Sequence, residues 1–285
     1  MNQRFSLLTV TYKGDIDAFE TLCASIDLHN PEATHYVLVD HSDLPLFQRF
    51  ATQKRKIIDL KAELPAFREI NLPSRRLWFL PWRHLVRGWI YQQIVKIHFA
   101  SKLDDDAVLV VDSDAKFVRP ILSEHLFRDG RVYLYRRPGP LPADDMVNWH
   151  NAARLSLGLQ PSGFNGKDYI STAVPWSPAV VRMMIARIEG QHQTDWFRYL
   201  LRFFRISEYV MYGLFCEEME GPQRALVEPT EHELCHCSWH YDLEDEANVQ
   251  RFRADIRPDQ VAVLIQSNLG MPETERRRIL SAFDA

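Results

Sequence analysis

The stretch Val108-Leu109-Val110-Val111-Asp112-Ser113-Asp114 carries four branched apolar residues straight into two carboxylates separated by one serine. A strand without polar alternation needs cover on both faces, and strands of parallel sheets read this way. The strand end also limits where chemistry can lie, because ligands of open α/β sheets sit outside the carboxyl ends of the strands. The preceding chain follows the same grammar. Residues 5–12 read as a buried strand ended by Lys13-Gly14-Asp15, with helical spacing over 16–26 behind it. A second strand over 35–39 runs into Asp40-His41-Ser42-Asp43, a third covers 56–60, and a long helix over 85–102 leads into the strand 107–111. This alternation predicts an α/β fold with a mostly parallel central sheet and helices on both faces.

Beyond Arg119-Pro120 the pattern changes. A strand is expected over 131–135, helices over 178–189, 194–205 and 207–219, strands over 233–240 and 260–265, and a closing helix over 271–283 with Pro272 in its first turn. No internal repeat or linker divides the 285 residues, which read as one domain. The 46% of hydrophobic residues suffice for a core, and 34 basic against 38 acidic residues leave no global field that would draw nucleic acid. Cys23, Cys216, Cys235 and Cys237 make no small-domain disulfide framework. The first apolar segment is short for a signal peptide, and no run approaches the roughly 18 residues of a spanning helix, so a cytoplasmic protein is expected.

In an extended segment alternate side chains share a face, so Asp112 and Asp114 can point together toward the rim of the sheet. Two carboxylates with water and substrate phosphates are a common way to hold Mg²⁺ or Mn²⁺, although two acids at a strand end can also be merely solvated. In the preceding helix, Trp89, Gln92, Gln93 and Lys96 fall on one stripe and Ile90, Ile94 and Ile97 on the next.

The segment from Gly88 to Ile97, read as GWIYQQIVKI and followed by VVDSDAKFVRP, resembles the central part of GT-A type glycosyltransferases, in particular a poorly characterised bacterial branch. The resemblance covers the first two thirds of the chain in order and weakens toward the C-terminus. It implies a GT-A, Rossmann-like fold, a nucleotide-diphospho-sugar donor, a divalent metal (Mn²⁺ or Mg²⁺), and transfer of the sugar to a hydroxyl of a glycan or lipid-linked acceptor. Residues 1–120 would then be the nucleotide-sugar half, and 121–285 would complete the acceptor side. Asp114 would ligate the metal directly, Asp112 would hold the metal, its water or the donor's ribose, and Ser113 between them would contact the donor. Thr9, Thr11, Tyr12 and Asp15 would line the nucleotide pocket, and Gln93 and Lys96 would face the site. A haloacid-dehalogenase-like phosphatase also places Asp-x-Asp after an apolar strand, with Asp112 as nucleophile. Its usual Thr or Val two residues after the second acid is Lys116 here, and three expected strands precede the motif. A non-catalytic nucleotide-sugar-binding protein of the same fold is the third possibility.

An inverting transferase needs a carboxylate to take the acceptor's proton. Glu208 is the first candidate, behind the N-cap residue Ser207, where the helix dipole would also explain an acid. Asp168, Asp144 and Asp145 are alternatives. As a strand, 233–240 would put His236 and His240 on one face. On the GT-A resemblance either could complete the metal site with Asp114, while packing or a zinc site with Cys235 and Cys237 are the other readings. Gln266 and Ser267 could touch a diphosphate, or Ser267 could cap the last helix. Arg198, Arg202 and Arg205 form one stripe on the expected helix 194–205. That stripe would suit peripheral contact with an anionic membrane face, a lipid-diphosphate acceptor, or simply a solvated edge.

Overall fold

The computed structural model describes residues 3–72, 75–80, 84–139, 144–266 and 270–283. Its centre is a five-stranded sheet in the order Ala173–Trp176, Ala107–Val111, Phe5–Thr11, Thr34–Val39, Arg55–Asp59. Four strands are parallel, and Ala173–Trp176 runs antiparallel along the Ala107–Val111 edge. The order explains why apolar runs were needed. Alternate residues of each inner strand feed two different cores: Leu8, Leu38, Val108 and Val110 pack with Ile90, Ile94 and Val95 of the Gly88–Lys102 helix. Leu7, Val37, Leu109 and Val111 pack on the other face with Phe19 and Leu22 of the Ile16–His29 helix. Helices thus cover both faces of a mostly parallel sheet.

The chain leaves the Phe5–Thr11 strand toward Thr34–Val39 on one side and returns through Ala107–Val111 on the other. The carboxyl ends of these two neighbours, Thr11 and Asp112, therefore flank the topological switch point where a crevice opens.

Three elements were not foreseen. Residues 68–87 form an antiparallel meander of Arg68–Leu72, Arg75–Leu80 and His84–Arg87, so the long helix starts at Gly88 rather than at residue 85. A helix spans Asp144–Ser156. A small sheet pairs Ala262–Leu264 with both Cys235–Cys237 and Ala115–Phe117, the strand directly after the acidic turn. The expected 233–240 strand is only its central three residues, continued by a 3₁₀ turn over Ser238–His240. The expected helix over 194–205 shrinks to Trp196–Leu200. Arg198 there pairs with Asp195, Arg202 lies over the Tyr199 ring and Arg205 pairs with Asp145, so the three arginines do not form one helical stripe. Among the described residues no helix is long and apolar enough to cross a membrane.

Candidate active site

A cavity of about 320 Å³ opens at the switch point, and Asp15, Lys96, Asp112, Ser113, Asp114 and Glu208 all line it. They come from four segments far apart in sequence. Asp112 lies just beyond the Ala107–Val111 strand, and its amide donates to the Thr172 carbonyl at 3.1 Å. The Ala115 amide closes the turn on the Asp112 carbonyl at 3.2 Å. The Ser113 hydroxyl donates to the Asp15 carboxylate at 3.1 Å, tying the acidic turn to the end of the first strand.

Lys96 stands between the acids. Its ammonium donates to Glu208 at 3.0 Å and to the Tyr209 hydroxyl at 3.3 Å, and sits 3.6 Å from Asp112. Burial disfavours the charged form of Lys96. Tyr209, Glu208 and Asp112 outweigh that penalty and hold the ammonium well above the ordinary lysine range. Asp112 is 37% exposed, facing the cleft. Enclosure by the surrounding protein raises its carboxyl to about 6; Lys96 pulls it down, while Asp114 and Glu208 push it up.

Glu208 begins the Glu208–Glu218 helix. The Ser207 side chain caps that helix by accepting from the Val210 amide at 3.3 Å. Gln93 accepts the Glu208 amide at 3.0 Å. Gln93 is therefore buried behind the cleft and holds the helix start, while Gln92 and Trp89 face the cleft from the same helix.

A second cavity of about 270 Å³ adjoins the first and shares Val10, Trp89 and Gln92 with it. Thr11, Tyr12, Asp40, Trp78 and Tyr91 complete its wall, the last two stacked at 4.5 Å. The Thr11 hydroxyl is buried and meets no protein partner among the described residues. Such a group wants a hydrogen bond, and the cavity is where a ligand could supply it.

Several expected residues lie elsewhere. Thr9 is fully buried and accepts from His35 Nε2 at 3.0 Å, while His35 Nδ1 accepts from Arg55; it belongs to a core network, not to a pocket. Asp168 is spent on Arg137 at 3.2 Å and on the Ile170 amide at 2.9 Å, and does not line the cleft. His236 donates to the Phe252 carbonyl at 2.8 Å and stacks on that ring, and burial lowers its pKa. His240 is exposed at the end of its turn, and Trp239 lines the cleft in place of either histidine. The strand ends too early for the expected alternation to carry a histidine to Asp114. Gln266 is half-buried outside the cleft lining, and Ser267 lies outside the described residues. Lys116 is buried and donates to the Leu280 carbonyl at 2.9 Å. Trp176 is buried against Tyr212, and Trp149 lines the cleft.

Sequence reasoning missed Ser171 and Thr172, which line the cleft just before the antiparallel edge strand. Only that strand's pairing brings them there. Asp40 was marked by its place at a strand end; Trp78, within the unforeseen meander, carried no signal.

Among the described residues no group of three His, Cys, Asp or Glu gathers as a closed metal site. Asp112 and Asp114 offer oxygen donors only. Such a pair fits a hard divalent ion whose remaining positions are filled by water and phosphate, and not a zinc cage.

Two structures of LgtC resemble the chain, one of an active-site mutant and one of the galactosyltransferase with donor and acceptor sugar analogues. Each shows 10% identity and a TM-score of 0.47 over 97% of this chain and 95% of its own. A likeness of that strength leaves any functional argument to the cleft itself. No curated protein matches the chain. The model of a family of unknown function, DUF6492, matches residues 5–285, and the chain belongs to that family.

Proposed function

We propose that this protein is a metal-dependent glycosyltransferase that takes a nucleotide-diphospho-sugar donor and transfers the sugar to a hydroxyl of a glycan or lipid-linked acceptor. The observation that carries the reading is the convergence of Asp112, Asp114, Lys96 and Glu208 in one cleft at the switch point, beside a pocket lined by Thr11, whose buried hydroxyl meets no protein partner among the described residues. The GT-A resemblance of the motif-bearing half points the same way.

The pocket walled by Thr11, Tyr12, Trp78 and Tyr91 would take the nucleoside, with stacking on an aromatic wall and one hydrogen bond to Thr11. The diphosphate would then lie toward the acidic turn. A divalent ion on Asp112 and Asp114 would neutralise the charge that grows on the leaving diphosphate. Asp15 and Ser113 brace the turn that carries these carboxylates. Glu208 would accept the proton of the attacking hydroxyl as the hydroxyl oxygen bonds to the sugar's anomeric carbon and the bond to the phosphate oxygen breaks. Lys96 holds that carboxylate in the cleft.

A thermal-shift screen of nucleoside diphosphates with and without Mn²⁺ tests the reading. A metal-dependent rise with one nucleotide, absent in Asp114→Ala, is expected. Indifference of the parent protein to every nucleotide would remove the donor assignment.

A further inference from the structure

We infer that Arg276 is the positioning residue for Asp114, through which the C-terminal helix Glu273–Ser281 sets the geometry of the acidic turn. Arg276 is 2% exposed. Its guanidinium donates to the main-chain carbonyl of Asp114, to that of Ile265 at 3.1 Å, and to Glu273 at 3.4 Å. A buried guanidinium is costly unless its donors are met, and here two of them are spent on main-chain carbonyls beside the Leu264–Ala115 strand pair. One is the second acid of the turn. The other, Ile265, follows directly on the last strand.

Arg276 holds the carbonyl side of the Asp114–Ala115 peptide, whose amide side is tied within the turn. The Asp112 amide is fixed by Thr172 and the Ala115 amide by Asp112, while Ala115–Phe117 is held along Ala262–Leu264. Lys116 supplies a second buried tie between the same two elements, from the strand to the Leu280 carbonyl in the last turn of the helix. Both cations dock the helix, but only the one from Arg276 ends on Asp114. Rotation of that peptide by a few tens of degrees would turn the Asp114 carboxylate away from Asp112, and paired ligands tolerate little such error.

What Asp114 would hold rests on the reading proposed above; the order of the turn does not. The experiment therefore has two arms, applied to Arg276→Met, the milder Arg276→Lys, and Lys116→Met as the control that removes the other tie. In the first arm, hydrogen exchange of the Ala115 amide is followed against the exchange of core strands. Either Arg276 variant is expected to accelerate it about tenfold or more, with Lys116→Met near the parent. In the second arm, Mn²⁺-dependent nucleotide affinity falls about tenfold in the Arg276 variants and not in Lys116→Met. If Arg276→Met does not fold, Arg276→Lys carries both arms. Unchanged protection of Ala115 in the Arg276 variants would overturn the inference. So would an equal loss in Lys116→Met, which would mean that helix docking alone matters. If the parent binds no nucleotide, the functional reading fails, while the exchange arm still decides the role of Arg276.

Discussion

On the proposed function, the chemistry turns on Lys96 and Glu208. The Lys96 side chain is 12% exposed and that of Glu208 5%, so removing one charge strands the other inside the protein. Lys96→Met should lower stability by about 3–5 kcal/mol in chemical denaturation, since breaking a buried pair from one side costs that much. An exposed-pair value near zero would show that the cleft is well solvated. Glu208→Gln keeps the shape and removes the proposed base. It should leave nucleotide affinity intact and reduce sugar transfer on the order of 10²- to 10⁴-fold, measured under saturating donor and acceptor.

His35 gives a pH prediction away from the site. Burial, and secondarily Arg55, lowers its pKa from 6.5 to about 3. Between those values the unfolded chain takes up a proton that the folded His35 refuses. The stability contributed by the neutral ring is therefore full above about 6.5 and is lost as pH falls toward 3. The stability gap between the parent and His35→Gln should narrow from pH 7 to pH 4; an unchanged gap would mean that His35 titrates as an exposed histidine.

Among the elements, the Glu208–Glu218 helix brings Glu208 and Tyr209 to the wall of the cleft. Ser207→Ala removes its cap and should cost about 1 kcal/mol in urea unfolding, with a larger effect on transfer than on donor affinity because the first turn carries Glu208. Further along this helix, a Cβ at Gly213 would run into the Tyr169 ring, whose hydroxyl is held by Glu217 at 2.6 Å. Gly213→Ala should therefore destabilise by about 1–3 kcal/mol through overpacking. A neutral result would show that the ring can swing aside.

The central strands and the Ile16–His29 and Gly88–Lys102 helices were legible from hydrophobic period, because local spacing decides which face a residue shows to a sheet. The meander over 68–87 was not, since its polar and aromatic residues alternate around pairing that no local pattern encodes. The histidine strand failed for a related reason. Alternation held over Cys235–Cys237, but the chain turned at Ser238, and His236 met Phe252 from a helix that only folding brings beside it.

At the scale of the whole molecule, both halves of the chain build the same sheet. Ala107–Val111, the strand that delivers Asp112, is covered along its free edge by Ala173–Trp176, and Ala115–Phe117 is paired by Ala262–Leu264. A fragment of residues 1–120 would expose two unpaired strand edges flanked by apolar side chains. It should aggregate or elute as large species in size-exclusion chromatography, and it should lack Mn²⁺-dependent nucleotide binding. A monomeric, folded fragment would show that the first half is self-sufficient.

The sequence by itself determined the α/β alternation, the acidic turn at the end of a buried strand, and the placement of Glu208 at a capped helix start. Each follows from spacing and capping, which act over a few residues. Only the tertiary structure decided that Lys96 joins Asp112 to Glu208, that Gln93 supports while Gln92 faces the cleft, and that Thr9, Asp168 and His236 are spent on structural partners. Whether a polar side chain meets a ligand or another part of the chain depends on contacts between residues 16 to 115 positions apart, and no local period records them.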